Sequence, residues 1–170
     1  NVDLNEAIRE RRSIRRYKDE EIDDDLINKI VEAGVWAPSA GNTQSWEVIV
    51  IKDSQIKAQL AVACYSREFI SECSVVLSIC ANKRASGAIY GERGRELYCI
   101  QDAACAAQNM MLSAYALGLG AAWIGAFKEK LVKGILNIPE NVRVVALTPL
   151  GYPGPRADTP KRGRKSISEV

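Results

Sequence analysis

The stretch PSAGNTQSWEVIVI, residues 38–51, joins the end of a helix to a strand through a polar loop. Pro38 lacks an amide hydrogen and disfavours helical backbone at Ala37, so it predicts the end of a helix that begins near Asp23. The β-branched run of residues 46–51 predicts a strand directly after the loop of residues 38–45. This stretch therefore indicates a domain that contains both helices and strands.

On either side of this stretch, helical and strand patterns follow one another without a repeat or an interior linker. Helices are predicted over residues 4–12, 54–64, 95–117 and 128–136, and strands over residues 74–80, 121–125 and 142–147. Residues 82–94 are rich in glycine and charge and predict a mobile connection over the surface. Residues 148–170 hold four of the six prolines and predict an extended tail, which could cross the surface of a second subunit. Residues 1–170 are predicted to form a single domain.

The composition is that of an ordinary globular protein, with 170 residues of which 47% are hydrophobic and 26% charged. The polar N-terminus lacks the layout of a secretory signal. No apolar run reaches the roughly 18 residues that a membrane helix needs. The sequence therefore predicts a cytoplasmic protein without a membrane partner.

The chain contains five cysteines and no histidine. The odd number of cysteines, the absence of a C-x-x-C spacing and their apolar neighbours predict reduced thiols in the core. The lack of histidine excludes Ser-His-Asp and Cys-His catalysis and nearly every imidazole-ligated metal site. An enzyme of this composition would take its chemistry from a cofactor, so neither a metal ligand nor a catalytic side chain is predicted.

Four arginines lie close together in RRSIRRY, residues 11–17. A guanidinium group matches phosphate oxygens two at a time, and the Ser13 hydroxyl offers a further donor. Residues 156–165 carry five more Lys or Arg, although the net charge of the protein is only +2. A nucleic-acid-binding protein more often shows a broad basic face, so two compact basic segments favour a small phosphorylated ligand. A solvated helix end and a disordered basic tail remain alternative interpretations of the two segments.

The loop of residues 38–45 carries carboxamides, which donate and accept hydrogen bonds at once. Asn42 and Gln44 would suit a heterocycle with alternating carbonyls and ring nitrogens, such as the pyrimidine edge of a flavin. The same composition is also typical of a loop that only satisfies its own backbone. A second glycine-rich segment, GLGAAWIG of residues 118–125, follows a helix and enters a strand. A dinucleotide fingerprint has the opposite order, so a classical Rossmann domain is not predicted.

In their order and spacing, several segments of this chain resemble the nitroreductase family of FMN enzymes in its compact form. The segments are residues 11–17, 38–46, 90–98, 102–111, 118–120 and 122–127. The resemblance covers nearly the whole chain. It implies an α+β fold in which helices flank a central, mainly antiparallel sheet, and an intertwined homodimer with FMN at its interface.

The resemblance also implies which residues bind the phosphate of FMN. Arg11 and Ser13 would meet the phosphate and the ribityl chain, with Arg12 and Arg15 close by. A basic pair in the tail, Arg162 and Arg164, matches the family's contact that closes on the phosphate.

The isoalloxazine ring would be bound by two further segments. The backbone amides of Ile124 and Gly125 match the position that approaches flavin N5. The loop would come from the other subunit and face the partner's flavin with Pro38, Ser39, Asn42 and Gln44. The family's loop usually reads Asn-x-Gln-Pro-Trp, whereas Ser45 stands here at the proline position, which predicts a less rigid loop.

The activity implied by the resemblance is transfer of hydride from NADH or NADPH through flavin N5 to a nitroaromatic, a quinone or a similar small acceptor. A flavin-binding carrier or sensor without turnover is an alternative on the same fold, as is a ring-cleaving or dehalogenating relative. A small nucleic-acid-binding protein that uses both basic segments is a third hypothesis.

Overall fold

The computed structural model of the protein describes residues 2–155, 157 and 163–170. The helices are α1 (Leu4–Glu10), α2 (Asp24–Val35), α3 (Ser54–Ala63), α4 (Phe69–Glu72), α5 (Lys83–Arg93), α6 (Cys99–Ala116) and α7 (Glu129–Leu136). The strands are β1 (Trp46–Ile51), β2 (Val75–Asn82), β3 (Gly120–Ala121) and β4 (Val142–Gly151). A π-helical turn, Gly94–Tyr98, joins α5 to α6, and short 3-10 turns lie at Ala40–Asn42 and Ile167–Glu169.

The four strands form one sheet in the order β1-β2-β4-β3, and each neighbouring pair is antiparallel. Trp46 lies opposite Ala81 at one end of the β1–β2 pair, and Val75 lies opposite Leu150 in the β2–β4 pair. This arrangement confirms the predicted α+β class with an antiparallel sheet.

Strand β2 is buried on both faces because helices cover both sides of the sheet. Leu77 and Ile79 belong to a cluster with α2 and α6, whereas Val76 and Cys80 belong to a second cluster with α3 and α7. This division follows the two-residue side-chain period of a strand. The helices therefore form an outer layer on each side of the sheet.

Helix α6 contacts α2 through small residues. Ala103, Ala106 and Ala107 have no exposed surface. On α2, a Cβ placed on Gly34 would lie 2.1 Å from Cε of Met110. The two helices approach closely because Gly34 leaves room for the Met110 side chain.

Several sequence predictions differ from the structure. The strand predicted over residues 121–125 is only β3, Gly120–Ala121, with an isolated bridge from Ile124 to Leu147. Residues 82–94 were expected to be a mobile connection, but residues 83–93 are helix α5, whose first turn is capped by the Asn82 side chain accepting from the Ala85 amide at 3.0 Å. Gly87, one of the glycines that suggested a loop, serves packing, because it lies under the Arg95 side chain. The tail was expected to begin at Thr148, yet residues 148–151 continue strand β4.

The cysteines among the described residues are free thiols, and four of the five are buried. Cys105, on α6, is exposed. Burial raises the pKa of the Cys64 and Cys73 thiols to about 11, so both stay protonated and poorly reactive at neutral pH.

No helix in the described part of the chain is both long enough and apolar enough to cross a membrane. The cytoplasmic location stays a prediction.

Replacement of Gly94 by alanine is expected to lower the free energy of unfolding by about 1–3 kcal/mol, because the new methyl group overpacks a rigid contact. A Cβ at Gly94 would lie 2.4 Å from the Ser86 carbonyl oxygen, which belongs to the backbone of α5. Urea denaturation measures the change. Gly134→Ala is the matched control: no atom lies within 4 Å of its Cβ position on α7, so it should stabilise the protein by about 0.5–1 kcal/mol. Equal unfolding midpoints for the two variants would contradict the close approach at Gly94.

Candidate functional site

The arginine segment of residues 11–17 leaves α1 and lies along the outer edge of β3. Ser13 forms a parallel bridge with Ala121, and the Ile14 amide donates to the Ala121 carbonyl oxygen at 2.9 Å. Gly120 permits this contact, since a Cβ there would lie 2.7 Å from the Ile14 side chain. The Tyr17 hydroxyl donates to the Ile14 carbonyl at 2.6 Å and fixes the far end of the segment.

Arg11 and Arg12 line a cleft of about 470 Å³ between this segment and the C-terminal end of α6. Met111, Tyr115 and Ala157 also line it. Ser13 and Arg15 adjoin the cleft in sequence but do not line it. The structure thus brings two of the four predicted N-terminal phosphate contacts to one cavity.

Both guanidinium groups in this cleft retain unsatisfied donors. Nη1 of Arg11 and Nε of Arg12 are buried and have no hydrogen-bond partner among the described residues, whereas Nη1 of Arg12 donates to the carbonyl oxygens of Arg9 and Arg11. Burial lowers the pKa of Arg11, and the nearby charges of Arg12 and Arg164 lower it further. A phosphate group would satisfy buried donors on neighbouring cations.

The C-terminal tail reaches the same region. Arg164 is close enough for its charge to lower the pKa of Arg11, and its contact with the phosphate stays a prediction. Arg162, the other predicted tail residue, lies outside the described residues.

The loop of residues 38–45 is organised by one buried carboxylate, Asp102 on α6. Asp102 accepts hydrogen bonds from the Ala40 amide at 3.0 Å, the Thr43 hydroxyl at 3.2 Å and the Ser45 hydroxyl at 2.8 Å. Ser45 is 1% exposed, so its bond to Asp102 ties down the loop at the position where the family usually has proline. The expected loss of rigidity at Ser45 is therefore offset by a buried hydrogen bond.

Asp102 is the functional residue that the sequence interpretation missed. It lies on the buried stripe of α6 that also contains Cys99, Ala103 and Ala106. A single carboxylate at helical spacing among buried apolar positions signals a buried acceptor with specific partners. That signal could have identified the residue.

The predicted flavin-facing side chains of the loop point away from its anchor. Pro38, Asn42 and Gln44 are exposed, and Asn42 and Gln44 have positive φ values of 56° and 48°. Ser39 is used within the loop, because its hydroxyl accepts from the Gln44 amide at 3.0 Å. None of these residues lines the arginine cleft of the same chain.

The segment after β3 presents one available amide rather than two. Ile124 is fully buried, and its amide donates to the Leu147 carbonyl at 2.9 Å while its own carbonyl accepts from the Leu147 amide at 3.0 Å. Gly125, directly after it, is exposed, and its amide has no partner among the described residues. Of the two amides predicted to approach flavin N5, only that of Gly125 is available for this role.

Comparisons with known proteins agree with this architecture. The model of the nitroreductase family matches residues 8–72 and 62–152. A protein from Archaeoglobus fulgidus, named as a candidate NADH dehydrogenase/NAD(P)H nitroreductase, is 35% identical over 152 residues, which cover 87% of this chain and 84% of that relative.

Two solved structures share the fold. A nitroreductase family protein from Clostridium novyi NT has a TM-score of 0.82 at 32% identity, over 89% of this chain and 86% of that one. The NADPH:FMN oxidoreductase from Vibrio harveyi, solved with NAD+, has a TM-score of 0.84 at 26% identity, over 94% of this chain and 72% of that one. With the family model matched across residues 8–152 and a relative of this similarity, the chain belongs to the nitroreductase family.

Proposed function

We propose that this nitroreductase-family flavin oxidoreductase uses FMN to pass hydride from NADH or NADPH to a small acceptor such as a nitroaromatic or a quinone. The observation that carries the proposal is the pair of buried, unsatisfied donors on Arg11 and Arg12 at the edge of β3. A cationic cleft with two orphaned donors suits a phosphate monoester. The Vibrio harveyi relative is named for FMN and for NADPH and is solved with NAD+, which supports the same cofactor and co-substrate here.

In the proposed site, Arg11 and Ser13 hold the phosphate and ribityl region, and Arg12 and Arg15 add positive charge. Arg162 and Arg164 close on the phosphate from the tail. The backbone of Ile124, which is paired with that of Leu147, would place the Gly125 amide near N5 of the isoalloxazine ring. FMN supplies the hydride-accepting centre when bound, and the protein supplies binding and orientation. No side chain is assigned as a general acid or base.

The proposed enzyme is a homodimer. An apolar surface formed by α1, α2 and α6 surrounds a groove of about 420 Å³ that Leu4 and Trp36 help to line. Leu4 is 65% exposed and Trp36 is 81% exposed, and large apolar side chains gathered on one face mark a protein interface. A second copy on this face would bring Pro38, Ser39, Asn42 and Gln44 to the partner's flavin. That contribution accounts for a loop that is rigidly anchored yet directed outward.

The proposal is tested on the purified full chain. Denaturation should release FMN at about one equivalent per chain, and the native protein should oxidise NADH or NADPH when a quinone or nitroaromatic is added. Sedimentation should give twice the 18.7 kDa mass of one chain. A colourless protein that neither binds added FMN nor oxidises NAD(P)H would overturn the proposal. FMN retention without turnover would identify the carrier or sensor alternative.

A further inference from the structure

A cluster of two tyrosines and one arginine, Tyr90, Arg93 and Tyr98, borders the loop of residues 38–45. The contact is made at Gly41, where a Cβ would lie 2.2 Å from the Tyr90 hydroxyl oxygen. Tyr90 thus packs directly on the loop backbone, next to the exposed Asn42. In the proposed dimer this loop faces a flavin, so the cluster lies at the entrance to that site.

Two features of the backbone form the cluster, a break in α5 and a π-helical turn. Gly91 interrupts α5 with φ 58° and ψ −138°, a conformation that essentially only glycine adopts, and the chain then continues through the π-helical turn Gly94–Tyr98. Short π-helical insertions within helices occur frequently at functional sites. Here the break and the turn bring Arg93 beside Tyr98, five residues further along the chain.

Within the cluster, the aromatic rings hold the guanidinium group in place. The Tyr90 and Tyr98 rings meet edge to face, with centroids 5.2 Å apart and planes at 78°. The Arg93 guanidinium lies 5.3 Å from the Tyr98 ring centroid, and its Nε donates to the Tyr98 hydroxyl at 3.0 Å. Cation–π contact and one hydrogen bond together restrict the side chain before any ligand arrives.

The terminal nitrogens of Arg93 keep their donor capacity. Neither nitrogen has a hydrogen-bond or ion-pair partner within the described part of the chain, and the side chain is exposed. The nearby carboxylate of Glu96 is already paired with Lys83 at 2.7 Å. A guanidinium group held beside an aromatic ring, with two free NH2 groups, matches the paired oxygens of a carboxylate or phosphate.

We propose that Arg93 is a specificity-determining residue that binds an anionic group, a carboxylate or phosphate, on a planar aromatic molecule entering the site. Tyr90 and Tyr98 provide the aromatic surface beside it, and Tyr98 is a positioning residue that orients the guanidinium. The inference rests on the proposed function, since it assigns the substrate class of that same site. The anion comes either from the acceptor or from the additional phosphate that distinguishes NADPH from NADH, and changes in KM separate these sources.

The test compares the FMN-loaded wild-type protein with Arg93→Gln. The KM values are measured for 4-nitrobenzoate and for its neutral analogue 4-nitrobenzyl alcohol, and separately for NADH and NADPH. If the anion is on the acceptor, Arg93→Gln should raise the KM for 4-nitrobenzoate at least tenfold relative to that for the alcohol. If the anion is the nucleotide's additional phosphate, the KM for NADPH should rise by a similar factor relative to that for NADH. Either result supports the assignment of Arg93.

Two further measurements distinguish binding from structural damage. Benzoate, which is not reducible, should perturb the flavin absorbance of the wild-type protein at lower concentration than benzyl alcohol does, and Arg93→Gln should remove that difference. Tyr98→Phe should shift the KM ratios in the same direction as Arg93→Gln does, by a smaller factor. Arg84→Gln is the matched control, because Arg84 is an exposed arginine on the same helix outside the cluster.

The outcomes for this inference and for the proposed function are distinct. In one outcome the wild-type protein retains FMN and turns over, and Arg93→Gln changes neither KM ratio by more than twofold, that of 4-nitrobenzoate to 4-nitrobenzyl alcohol or that of NADPH to NADH. This outcome overturns only the role of Arg93. A wild-type protein that neither retains FMN nor oxidises NAD(P)H overturns the proposed function and this inference with it.

Discussion

Arg11→Ala is expected to weaken FMN binding by about 10- to 100-fold. A hydrogen bond to a charged group contributes about 1.5–3 kcal/mol, and each 1.4 kcal/mol corresponds to a factor of ten in affinity. Arg11 offers a buried Nη1 donor that has no partner in the described part of the chain, so this contribution is available to the ligand. Titration of the apoprotein with FMN, followed by quenching of flavin fluorescence, measures the change.

The same substitution should have the opposite effect on the apoprotein. Burial and the charges of Arg12 and Arg164 disfavour the Arg11 cation, as its lowered pKa indicates. Removing that charge relieves repulsion, so the thermal midpoint of the Arg11→Ala apoprotein should equal or exceed that of the wild-type apoprotein. When both proteins are loaded with FMN, the wild type should have the higher thermal midpoint. Arg16→Ala is the control, because Arg16 is exposed and belongs to the same segment. An apoprotein that unfolds earlier, with unchanged FMN affinity, would assign Arg11 to the fold rather than to the ligand.

Asp102→Ala is expected to lower the free energy of unfolding by about 3–5 kcal/mol, because each buried donor left unsatisfied costs about 1–3 kcal/mol. Three donors depend on this carboxylate, namely the Ala40 amide and the hydroxyls of Thr43 and Ser45. For a chain of this size the loss corresponds to a fall in thermal midpoint of roughly 6–20 °C. Chemical denaturation measures the free energy, and FMN titration should show weaker binding, since the loop loses its anchor.

Asp102→Asn separates the anchoring of the loop from the negative charge. Its carboxamide oxygen still accepts from the Ala40 amide, and the two hydroxyls can rotate to accept from the new NH2 group. The asparagine variant should therefore lose less than half of what the alanine variant loses. Ordinary surface substitutions change the free energy of unfolding by about 0.5 kcal/mol or less. If neither Asp102 variant changes it by more than that, Asp102 does not organise the loop.

Local chemistry explains which elements could be predicted from the sequence. Strand β1 has the predicted bounds of residues 46–51, because a helix-ending proline and a β-branched run act on adjacent residues. Helix α5 was missed, because its glycines are required by contacts with residues further along the chain, such as that of Gly87 with Arg95. Such contacts cannot be predicted from local composition.

In the candidate site, too, short sequence patterns predict some features, whereas others depend on contacts between distant residues. The arginine segment and the polar loop are visible as short patterns, and Arg11 and Arg12 do line one cleft. The bond from Ser45 to Asp102 spans 57 positions of the chain, and the pairing of Ile124 with Leu147 depends on how β3 and β4 meet. Both require the fold to be known before the residues can be interpreted.

The bridge between Ser13 and Ala121 gives the arginine segment a second task. Strand β3 is the last strand of the sheet, and the segment pairs with its outer side through Ser13 and Ile14. Unpaired sheet edges recruit strands from other molecules and promote aggregation. The segment proposed to hold the anion therefore also covers a sheet edge at which aggregation could otherwise begin.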